Sequence, residues 1–443
     1  MDISVITLGC SKNLVDSERL MKQLQAAGHR VTHDDATGAD TVFINTCGFI
    51  EAAKEESIAM ILSFVEAKRR GDIKRLYVVG CLSQRYRRDL QKEIPEVDAF
   101  FGVEEWDRLL AVVGGAPQPQ LFARRLQTTP RHFAWLKIAE GCNWRCAYCA
   151  IPPIRGKYRS TPFEQLLLEA TILAASGVKE LLITAQDTTY YGLDLYGRRR
   201  LAELLRALAD IKGVEWIRLH YAYPAQFPPD LIAELRDNPK LCKYLDIPLQ
   251  HIADKVLKNM RRGIDGAQTR ALLAQLRNTV PDIAIRTTLI VGHPGEDDAA
   301  FAELLHFVEE MRFERLGVFP YSEEEGTYAA QHLPDVIPRR EKQRRYEEVM
   351  SLQSRISQEL NNRMTGRRLR VLIDRREGDC HIARTEYDSP EVDNEVIIPA
   401  GATPRRPGQF CEVTITAAEE YDLWGREALP DGAEINRQSP KYL

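Results

Sequence analysis

The sequence lacks the features of a membrane or an exported protein. Its 443 residues contain no apolar run close to the roughly 20 residues that cross a bilayer. The first ten residues, MDISVITLGC, have no basic stretch followed by a long apolar one, so nothing marks the chain for export. The chain also has little excess charge, with a net charge of −4. We therefore expect a cytoplasmic protein, and the length indicates two to four domains.

Cysteine is present, but not in the pattern of a protein stabilised by disulfides. The chain has nine cysteines, an odd number. In a reducing compartment, clustered cysteines are metal or redox ligands more often than disulfide partners. We expect no structural disulfide, and six of the nine cysteines fall into two groups of three.

The first group follows three predicted strands. The first hundred residues alternate the apolar segments ISVITL, TVFIN and LYVVG with helices predicted over about 17–27 and 52–69, which indicates an open parallel sheet. Cys10, Cys47 and Cys81 come at the ends of these strands. Because parallel strands end at one edge of their sheet, the three thiols can converge there. The alternative is that they are small buried hydrophobic residues, a common role of free cysteine.

The second group lies in one short loop. After a Gly/Pro/Gln-rich stretch at 114–120, which is typical of a linker, six apolar strands alternate with amphipathic helices. Six β/α units indicate a partial or full barrel, whose active site lies at the C-terminal ends of its strands. The loop EGCNWRCAYC (140–149) follows the first of these strands and spaces Cys142, Cys146 and Cys149 as C-x3-C-x2-C.

Three thiols at this spacing allow three interpretations: a fragment of a disulfide framework, an incomplete zinc site, or the ligands of a metal cluster with one free corner. Structural zinc takes four protein ligands, and no second C-x2-C pair or nearby histidine follows Cys149. A four-iron cluster is held by thiolates and can leave one iron open to a small-molecule ligand. The spacing favours the cluster.

The C-terminal region predicts a small all-β module. A charged helix predicted over 339–361 is followed by RRLRVLIDRR, HIART, NEVIIPA and FCEVTIT, which are separated by turn signals. Residues 366–443 contain 11 Lys and Arg against 15 Asp and Glu, a net charge of −4. Since phosphate neutralisation supplies most of the affinity for RNA, an acidic module suits a basic protein partner better. In the alternative interpretation this charge is incidental.

The cysteine loop, with an aromatic residue at position 148, resembles the signature loop of the radical S-adenosylmethionine (SAM) enzymes. In that superfamily the open iron binds SAM, and one-electron reduction yields a 5′-deoxyadenosyl radical. The order of a three-cysteine α/β domain, a radical barrel and a small β module resembles the methylthiotransferases over nearly the whole chain. The resemblance implies mixed α/β architecture: an N-terminal open parallel-sheet α/β domain (1–115), a linker (116–130), a central partial (β/α)6 barrel (131–362) and a C-terminal small all-β, OB-like TRAM barrel (363–443).

The same resemblance implies two [4Fe-4S] clusters and SAM as cofactors. The barrel cluster, held by Cys142, Cys146 and Cys149, makes the radical. The second cluster handles the inserted sulfur, and its ligands would be Cys10, Cys47 and Cys81. A cofactor is needed because side-chain acid and base groups cannot remove a non-acidic hydrogen from carbon at neutral pH.

The resemblance leaves two substrate classes. Most relatives modify an adenosine of transfer RNA, whereas one branch adds a methylthio group to the β-carbon of an aspartate in ribosomal protein S12. This chain looks like the protein-modifying branch at TLGCSKNLVDSERL (7–20), NTCGFIEAAKEES (45–57), AQDTTYYG (185–192), YLDIPLQH (244–251) and EEYDLWG (419–425). It departs from that pattern at 384–396 and at Thr161.

We therefore expect S12 as the substrate. Transfer RNA is the alternative with the same chemistry, and a non-catalytic iron–sulfur electron-transfer protein is the alternative from another class. The resemblance also implies an electron donor such as flavodoxin or ferredoxin, a monomeric enzyme and no membrane partner, and it leaves direct RNA binding open.

Four further residues are candidates for contacting SAM. Tyr148 lies inside the cysteine loop, where relatives place the adenine, and Gln186 and Arg286 belong to the second and fifth barrel strands or their ends. Gly292, in IVGHPGE (290–296), would let the backbone approach a ligand closely. The alternative for each is structural: a cover over the cluster, polar packing in the barrel, or a plain turn. Structural roles are expected for Cys242, Cys380, Cys411, His251 and His293.

Overall fold

The computed structural model describes residues 1–401 and 405–427. Its internal contacts divide the chain into two compact units, Met1–Gln353 and Ser354–Leu443. The four-part division expected from the sequence stays a prediction, and residues 402–404 and 428–443 of the expected TRAM barrel lie outside the described residues. No helix in the described ranges is both long and apolar enough to cross a membrane.

The first unit begins with a five-stranded parallel sheet. Its elements are β1 (Asp2–Thr7), α1 (Ser11–Ala26), β2 (Arg30–His33), β3 (Thr41–Thr46), α2 (Glu51–Arg70), β4 (Arg75–Gly80), α3 (Cys81–Glu93), β5 (Ala99–Phe100) and α4 (Trp106–Ala111). The strand order is β2-β1-β3-β4-β5, and all pairs are parallel. Every residue of β3 is buried, as expected for a central strand that helices cover on both faces. The predicted open parallel sheet is confirmed.

The chain continues with a six-stranded parallel sheet and its helices. Its elements are β6 (Phe133–Lys137), β7 (Ala139–Glu140), α5 (Ile151–Arg155), β8 (Arg159–Ser160), α6 (Phe163–Ala175), β9 (Glu180–Thr184), α7 (Leu193–Tyr196), α8 (Leu201–Ala209), β10 (Trp216–Leu219), α9 (Pro229–Asp237), β11 (Leu241–Asp246), α10 (Asp254–Asn259), α11 (Gly266–Thr279), β12 (Ala284–Val291), α12 (Asp298–Met311), β13 (Arg315–Pro320), α13 (Tyr328–His332) and α14 (Arg339–Asn362). The order β6-β9-β10-β11-β12-β13 is that of a partial (β/α)6 barrel. The six predicted strands are all present.

The segment between the two sheets is anchored by buried charges. Arg125 lies between Glu18 of α1 (3.1 Å) and Glu169 of α6 (2.8 Å), and the exposed fraction of all three side chains is 2% or less. The backbone N–H of Thr128 also donates to the Glu18 carboxylate (2.6 Å). Breaking a buried, paired charge is costly, so this segment holds the N-terminal sheet and the barrel together.

The second unit contains a closed five-stranded barrel. Its strands are β14 (Arg368–Glu377), β15 (Cys380–Thr385), β16 (Val396–Pro399), β17 (Phe410–Ala418) and β18 (Leu423–Glu427), in the order β14-β15-β16-β18-β17. Antiparallel pairing of β14 with β17 closes the barrel. Closure removes the free sheet edges that promote aggregation. The predicted all-β module is confirmed.

Candidate functional site

The barrel cysteines lie in a loop that a glycine makes possible. Gly141 has φ +75°, and a Cβ there would come within 2.6 Å of the carbonyl oxygen of Gly156 and would also overlap that of Lys157. Only glycine allows this approach, which is fixed by a hydrogen bond from the Cys142 N–H to the Gly156 carbonyl (3.1 Å). The loop then turns back, with the Cys149 N–H donating to the Cys146 carbonyl (3.1 Å).

A buried arginine faces these thiols. Arg262, which is 3% exposed, donates from one nitrogen to the Cys146 Sγ (3.5 Å) and to the Tyr148 hydroxyl (3.3 Å). Its guanidinium also lies over the Tyr223 ring, 4.2 Å from the centroid. Burial raises the pKa of Cys142 to about 12 and, together with the charge of Cys146, raises the pKa of Cys149. Cys142 and Cys149 thus favour the neutral thiol, whereas a bound metal would favour the thiolate.

Aromatic side chains cover one side of the loop. Trp144 stacks on Tyr223 with centroids 4.0 Å apart, and its indole N–H donates to the Asp187 carboxylate (2.7 Å). Burial raises the pKa of Asp187. The Tyr223 hydroxyl lies 3.4 Å from the Cys146 Sγ. The stacked rings therefore lie against the Cys146 thiol on this side of the loop.

The N-terminal cysteines lie at the carboxyl ends of three adjacent strands. Cys10 precedes α1, Cys47 follows β3, and Cys81 is the first residue of α3. In the order β2-β1-β3-β4-β5, β2 is added on one side of β1 and the later strands are added on the other side. The strand order therefore reverses between β1 and β3, and open parallel sheets bind ligands outside the carboxyl ends of the strands at such a point. The structure therefore brings the three cysteines to the expected edge.

Asn13 connects all three cysteine-bearing loops. Its amide nitrogen donates to the carbonyls of Leu8 (2.9 Å) and Thr46 (3.2 Å), and its amide oxygen accepts from the Cys81 Sγ (3.8 Å). Burial is the main cause that raises the pKa of Cys81 to about 12; the Arg155 charge lowers this pKa, and the negative charges of Cys10 and Cys47 raise it. The three thiols are therefore close enough to repel one another when ionised.

Two basic side chains join the two groups of cysteines. Arg155, at the end of α5, donates to the Asn13 oxygen (2.5 Å) and to Glu140 (2.8 Å), the residue before the cysteine loop. Lys12 donates to the Ala185 carbonyl at the end of β9 (3.5 Å). Burial raises the pKa of Cys10, but the charges of Lys12 and Arg155 outweigh it, and the net effect is a lowered pKa.

The four candidate SAM contacts lie around the same edge of the barrel. Tyr148 receives the Arg262 hydrogen bond, and Arg286 pairs with Asp246 (3.1 Å). Gln186 donates to Glu140 (3.0 Å), while its buried amide oxygen has no hydrogen-bond partner among the described residues. The space that a Cβ of Gly292 would fill is taken by the Lys342 side chain (2.3 Å from Cγ). Packing against Lys342 therefore already explains this glycine, and all four SAM contacts remain predictions.

The donor set is compatible with iron–sulfur clusters. All nine cysteines lie in the described residues, and none of them forms a disulfide there. In the part of the chain that the structure describes, no three His, Cys, Asp or Glu side chains are arranged around a single metal ion. Thiolates of a cubane bind different irons and stand farther apart than the ligands of one ion. Two groups of three thiols supply the donor type that this chemistry needs, and the buried Gln186 oxygen is an acceptor without a partner among the described residues.

Sequence reasoning missed Lys12, Asn13, Arg155 and Arg262. Lys12 and Asn13 stand two and three positions after Cys10, and that proximity to a predicted ligand was an available signal. Arg155 and Arg262 reach their partners across 142 and 116 positions of sequence. No local pattern marks them, because only the fold brings them to the thiols.

Three family models match the chain, each over one part of it. They are the Uncharacterized protein family UPF0004 over residues 2–102, the Radical SAM superfamily over 136–308 and the TRAM domain over 365–427. The first range contains Cys10, Cys47 and Cys81, and the second contains Cys142, Cys146 and Cys149.

Solved structures show the same fold at low sequence identity. The radical SAM methyltransferase TsrM from Kitasatospora setae, with tryptophan and a SAM analogue bound, aligns with a TM-score of 0.54 and 15% identity over 72% of each chain. The cobalamin-dependent radical SAM enzyme OxsB aligns with a TM-score of 0.52 and 14% identity over 79% of this chain and 56% of its own.

Curated relatives match nearly the whole chain. "Ribosomal protein uS12 methylthiotransferase RimO" of Porphyromonas gingivalis is 54% identical over 426 residues, covering 96% of this chain and 98% of the relative. The protein of the same name from Phocaeicola vulgatus is 52% identical, covering 95% and 98%. With these relatives and a radical SAM domain around the Cys142–Cys149 loop, the chain belongs to the RimO family of radical SAM methylthiotransferases.

Proposed function

We propose that this enzyme adds a methylthio group to the β-carbon of an aspartate in ribosomal protein S12. The observation that carries the proposal is the 52–54% identity to uS12 methylthiotransferases over 95–96% of the chain. The proposal includes two [4Fe-4S] clusters, one on each group of three cysteines, and SAM. It also includes a flavodoxin- or ferredoxin-like electron donor, a monomeric enzyme, and action in the cytoplasm, where ribosomes and their proteins are made.

The cofactors, when bound, supply the one-electron chemistry that replaces hydrogen on an unactivated carbon. The chain's own residues hold and shield them. Arg262 provides a fixed positive charge 3.5 Å from the Cys146 Sγ. The Trp144 and Tyr223 stack keeps water from the same loop, which protects reactive species from side reactions. Glu140 and Gln186 join the loop to the end of β9.

The C-terminal barrel supports a protein substrate over RNA. Arg375, Arg384 and Arg405 each form two parallel hydrogen bonds with a carboxylate of the same barrel, at 2.5 to 3.0 Å. Bidentate pairs of this kind are strong and directional. These three guanidinium groups are therefore engaged within the barrel and are not free to neutralise phosphates, which is the main source of affinity for RNA.

The test offers both substrates to one enzyme. The anaerobically reconstituted protein is incubated with reductant, sulfide and SAM, together with an S12 peptide that carries the aspartate or with transfer RNA that carries the precursor adenosine. Mass spectrometry should detect a methylthio gain on the peptide alone. A gain on the RNA alone would overturn the proposed substrate and keep the chemistry. SAM cleavage without either product would overturn both substrates.

Cysteine variants connect the product to the proposed ligands. Cys81→Ala should abolish the methylthio gain and keep reductive SAM cleavage, since the barrel cysteines are unchanged. Cys380→Ser is the matched control because Cys380 lies in β15, outside both groups of three. Equal activity of Cys81→Ala and the control would contradict a role for the N-terminal cysteines.

A further inference from the structure

Each group of cysteines faces one buried arginine, and both arginines come from the barrel. Arg155 and Arg262 are each 3% exposed. Arg262 contacts a predicted ligand of the barrel cluster directly, through the Cys146 Sγ (3.5 Å). Arg155 belongs to α5 of the barrel but points its charge at the N-terminal cysteines. Neither side chain can bind iron, because a guanidinium has no free lone pair at neutral pH.

Arg155 and Cys81 share one hydrogen-bond acceptor. An Arg155 terminal nitrogen donates to the Asn13 amide oxygen (2.5 Å), and the Cys81 Sγ lies 3.8 Å from the same oxygen. The other terminal nitrogen lies 2.8 Å from Glu140 and 3.2 Å from Asp16. Burial lowers the pKa of Arg155, but the negative charges around it, Asp16 and Glu140 among them, outweigh burial, and the net effect is a raised pKa. The guanidinium is therefore a permanent cation beside this group of thiols.

We propose that the charge of Arg155 raises the reduction potential of the cluster on Cys10, Cys47 and Cys81. The inference rests on the proposed function, since it requires a cluster at this site. Three thiolates make a cubane in its oxidised form net negative, and one-electron reduction adds a further negative charge. A buried cation stabilises the more negative state, because charges interact strongly where water is excluded. The barrel would thus tune a cluster that it does not ligate.

A variant of Asp16 tests the proposal through the direction in which the reduction potential shifts. Its carboxylate pairs with Arg155 (3.2 Å) and also with Lys137, so it partly neutralises the cation. Arg155→Gln and Asp16→Asn break the same ion pair but change the local charge in opposite directions. If Arg155 only holds the N-terminal sheet against the barrel, the two variants should have effects of the same sign. If its charge sets the potential, they should have opposite signs.

The experiment measures the midpoint potential of the N-terminal cluster in the full-length chain. Cys142, Cys146 and Cys149 are changed to Ala, so that the reduced N-terminal cluster gives the only iron–sulfur electron paramagnetic resonance signal during titration with dithionite. Arg155→Gln should shift the potential to more negative values, Asp16→Asn to more positive values, and Arg155→Lys should leave it near that of the parent. Shifts of the same sign, or no shift in Arg155→Gln, would overturn the inference.

Arg262→Gln is the matched control. It should leave the N-terminal potential unchanged, and it should lower the potential of the barrel cluster in the complementary chain with Cys10, Cys47 and Cys81 changed to Ala. If Arg155→Gln loads no cluster, the Asp16→Asn variant tests the inference: a shift of the potential to more positive values supports it, and a shift to more negative values overturns it. If the parent with intact N-terminal cysteines binds no iron, the proposed second cluster fails, and the inference fails with it.

Discussion

Lys12 lies over the ring of Tyr221, with its Nζ 3.3 Å from the ring centroid. This cation–π contact fixes Lys12, which stands two positions after Cys10, against the barrel. Lys12 is only 7% exposed. Desolvation would raise the pKa of Cys10, yet the charges of Lys12 and Arg155 lower it overall. By contrast, burial raises the pKa of Cys47 and of Cys81.

Cys10 should therefore be the first of the N-terminal thiols to ionise in the apoprotein. Because the thiolate is the nucleophile, iodoacetamide at neutral pH should modify Cys10 faster than Cys47 or Cys81. Lys12→Met should slow the modification of Cys10 several-fold, and Lys12→Arg should largely preserve it. Peptide mass spectrometry of timed samples measures the rates. Faster modification of Cys81 than of Cys10 would contradict the prediction.

Iron content should separate the two cysteine groups. Changing either group of three to Ala should remove about four iron atoms per chain, and changing both should remove about eight. Cys242→Ala, at a buried cysteine outside both groups, should keep the full content. Colorimetric iron and sulfide analysis of anaerobically reconstituted protein makes the measurement. Loss of about one iron per group would indicate single-ion sites.

Two glycines with the same backbone angle should respond differently to alanine. Gly141 and Gly156 both have φ +75°, but a Cβ overlaps backbone oxygens only at Gly141, whereas the space at Gly156 is open. Gly156→Ala should cost about 2 kcal/mol, because φ +75° with ψ −165° is a backbone combination that is essentially restricted to glycine. Gly141→Ala should cost at least about 3 kcal/mol and displace Cys142.

Urea unfolding of the apoproteins gives the two free energies, and iron content reports the loop. The barrel cluster should be lost in Gly141→Ala and kept in Gly156→Ala. Equal destabilisation of the two variants would show that the backbone angle alone, and not the close approach, makes glycine necessary at position 141.

Acid should destabilise the barrel through two buried histidines. His251 and His293 are fully buried, and burial lowers their pKa values to about 3 and about 4 from 6.5. Below pH 6.5 these histidines bind protons in the unfolded chain but stay neutral in the folded chain. Their contribution to the free energy of unfolding is therefore complete above pH 6.5 and is lost as the pH falls toward 4 and then 3. Each histidine contributes a slope of up to about 1.4 kcal/mol per pH unit.

His251→Gln should make this dependence shallower in urea unfolding of the apoprotein followed from pH 7 to 4.5. His306→Gln, at an exposed position, is the matched control and should keep the full slope. If His251→Gln and the control show the same slope as the unchanged chain, the buried imidazole is not the source of the acid sensitivity.

Strong local signals account for the parts of the fold that sequence reasoning predicted. The predicted strands of both sheets are apolar runs, and β3 of the N-terminal sheet, which is fully buried, is one of them. β2 was missed because its burial is only partial and its sequence RVTH is short and polar, and β5 because it has two residues. Short edge strands are defined by their neighbours, so their own sequence carries little information.

The candidate site likewise has a part that the sequence predicts, the cysteines, and a part that it does not, the charges around them. C-x3-C-x2-C is a local spacing, and the convergence of Cys10, Cys47 and Cys81 follows from parallel topology once the strands are known. The charges around the thiols do not follow from either. Arg155 meets Asn13, and Arg262 meets Cys146, only after distant segments have packed. At Gly292 the sequence suggested a ligand contact where the structure shows packing, since Lys342 fills the space that a Cβ would take. A glycine in the sequence does not distinguish such packing from the approach of a ligand.

The two groups of cysteines differ in how much chain must be ordered before they exist as a set. The barrel group is complete within one loop of eight residues, from Cys142 to Cys149, so closing it costs little chain entropy. The other group spans 10–81 and is assembled only when β1, β3 and β4 are in register. The barrel thiols therefore need little ordered chain to come together, whereas iron on the proposed N-terminal site would require β1, β3 and β4 to be paired in register.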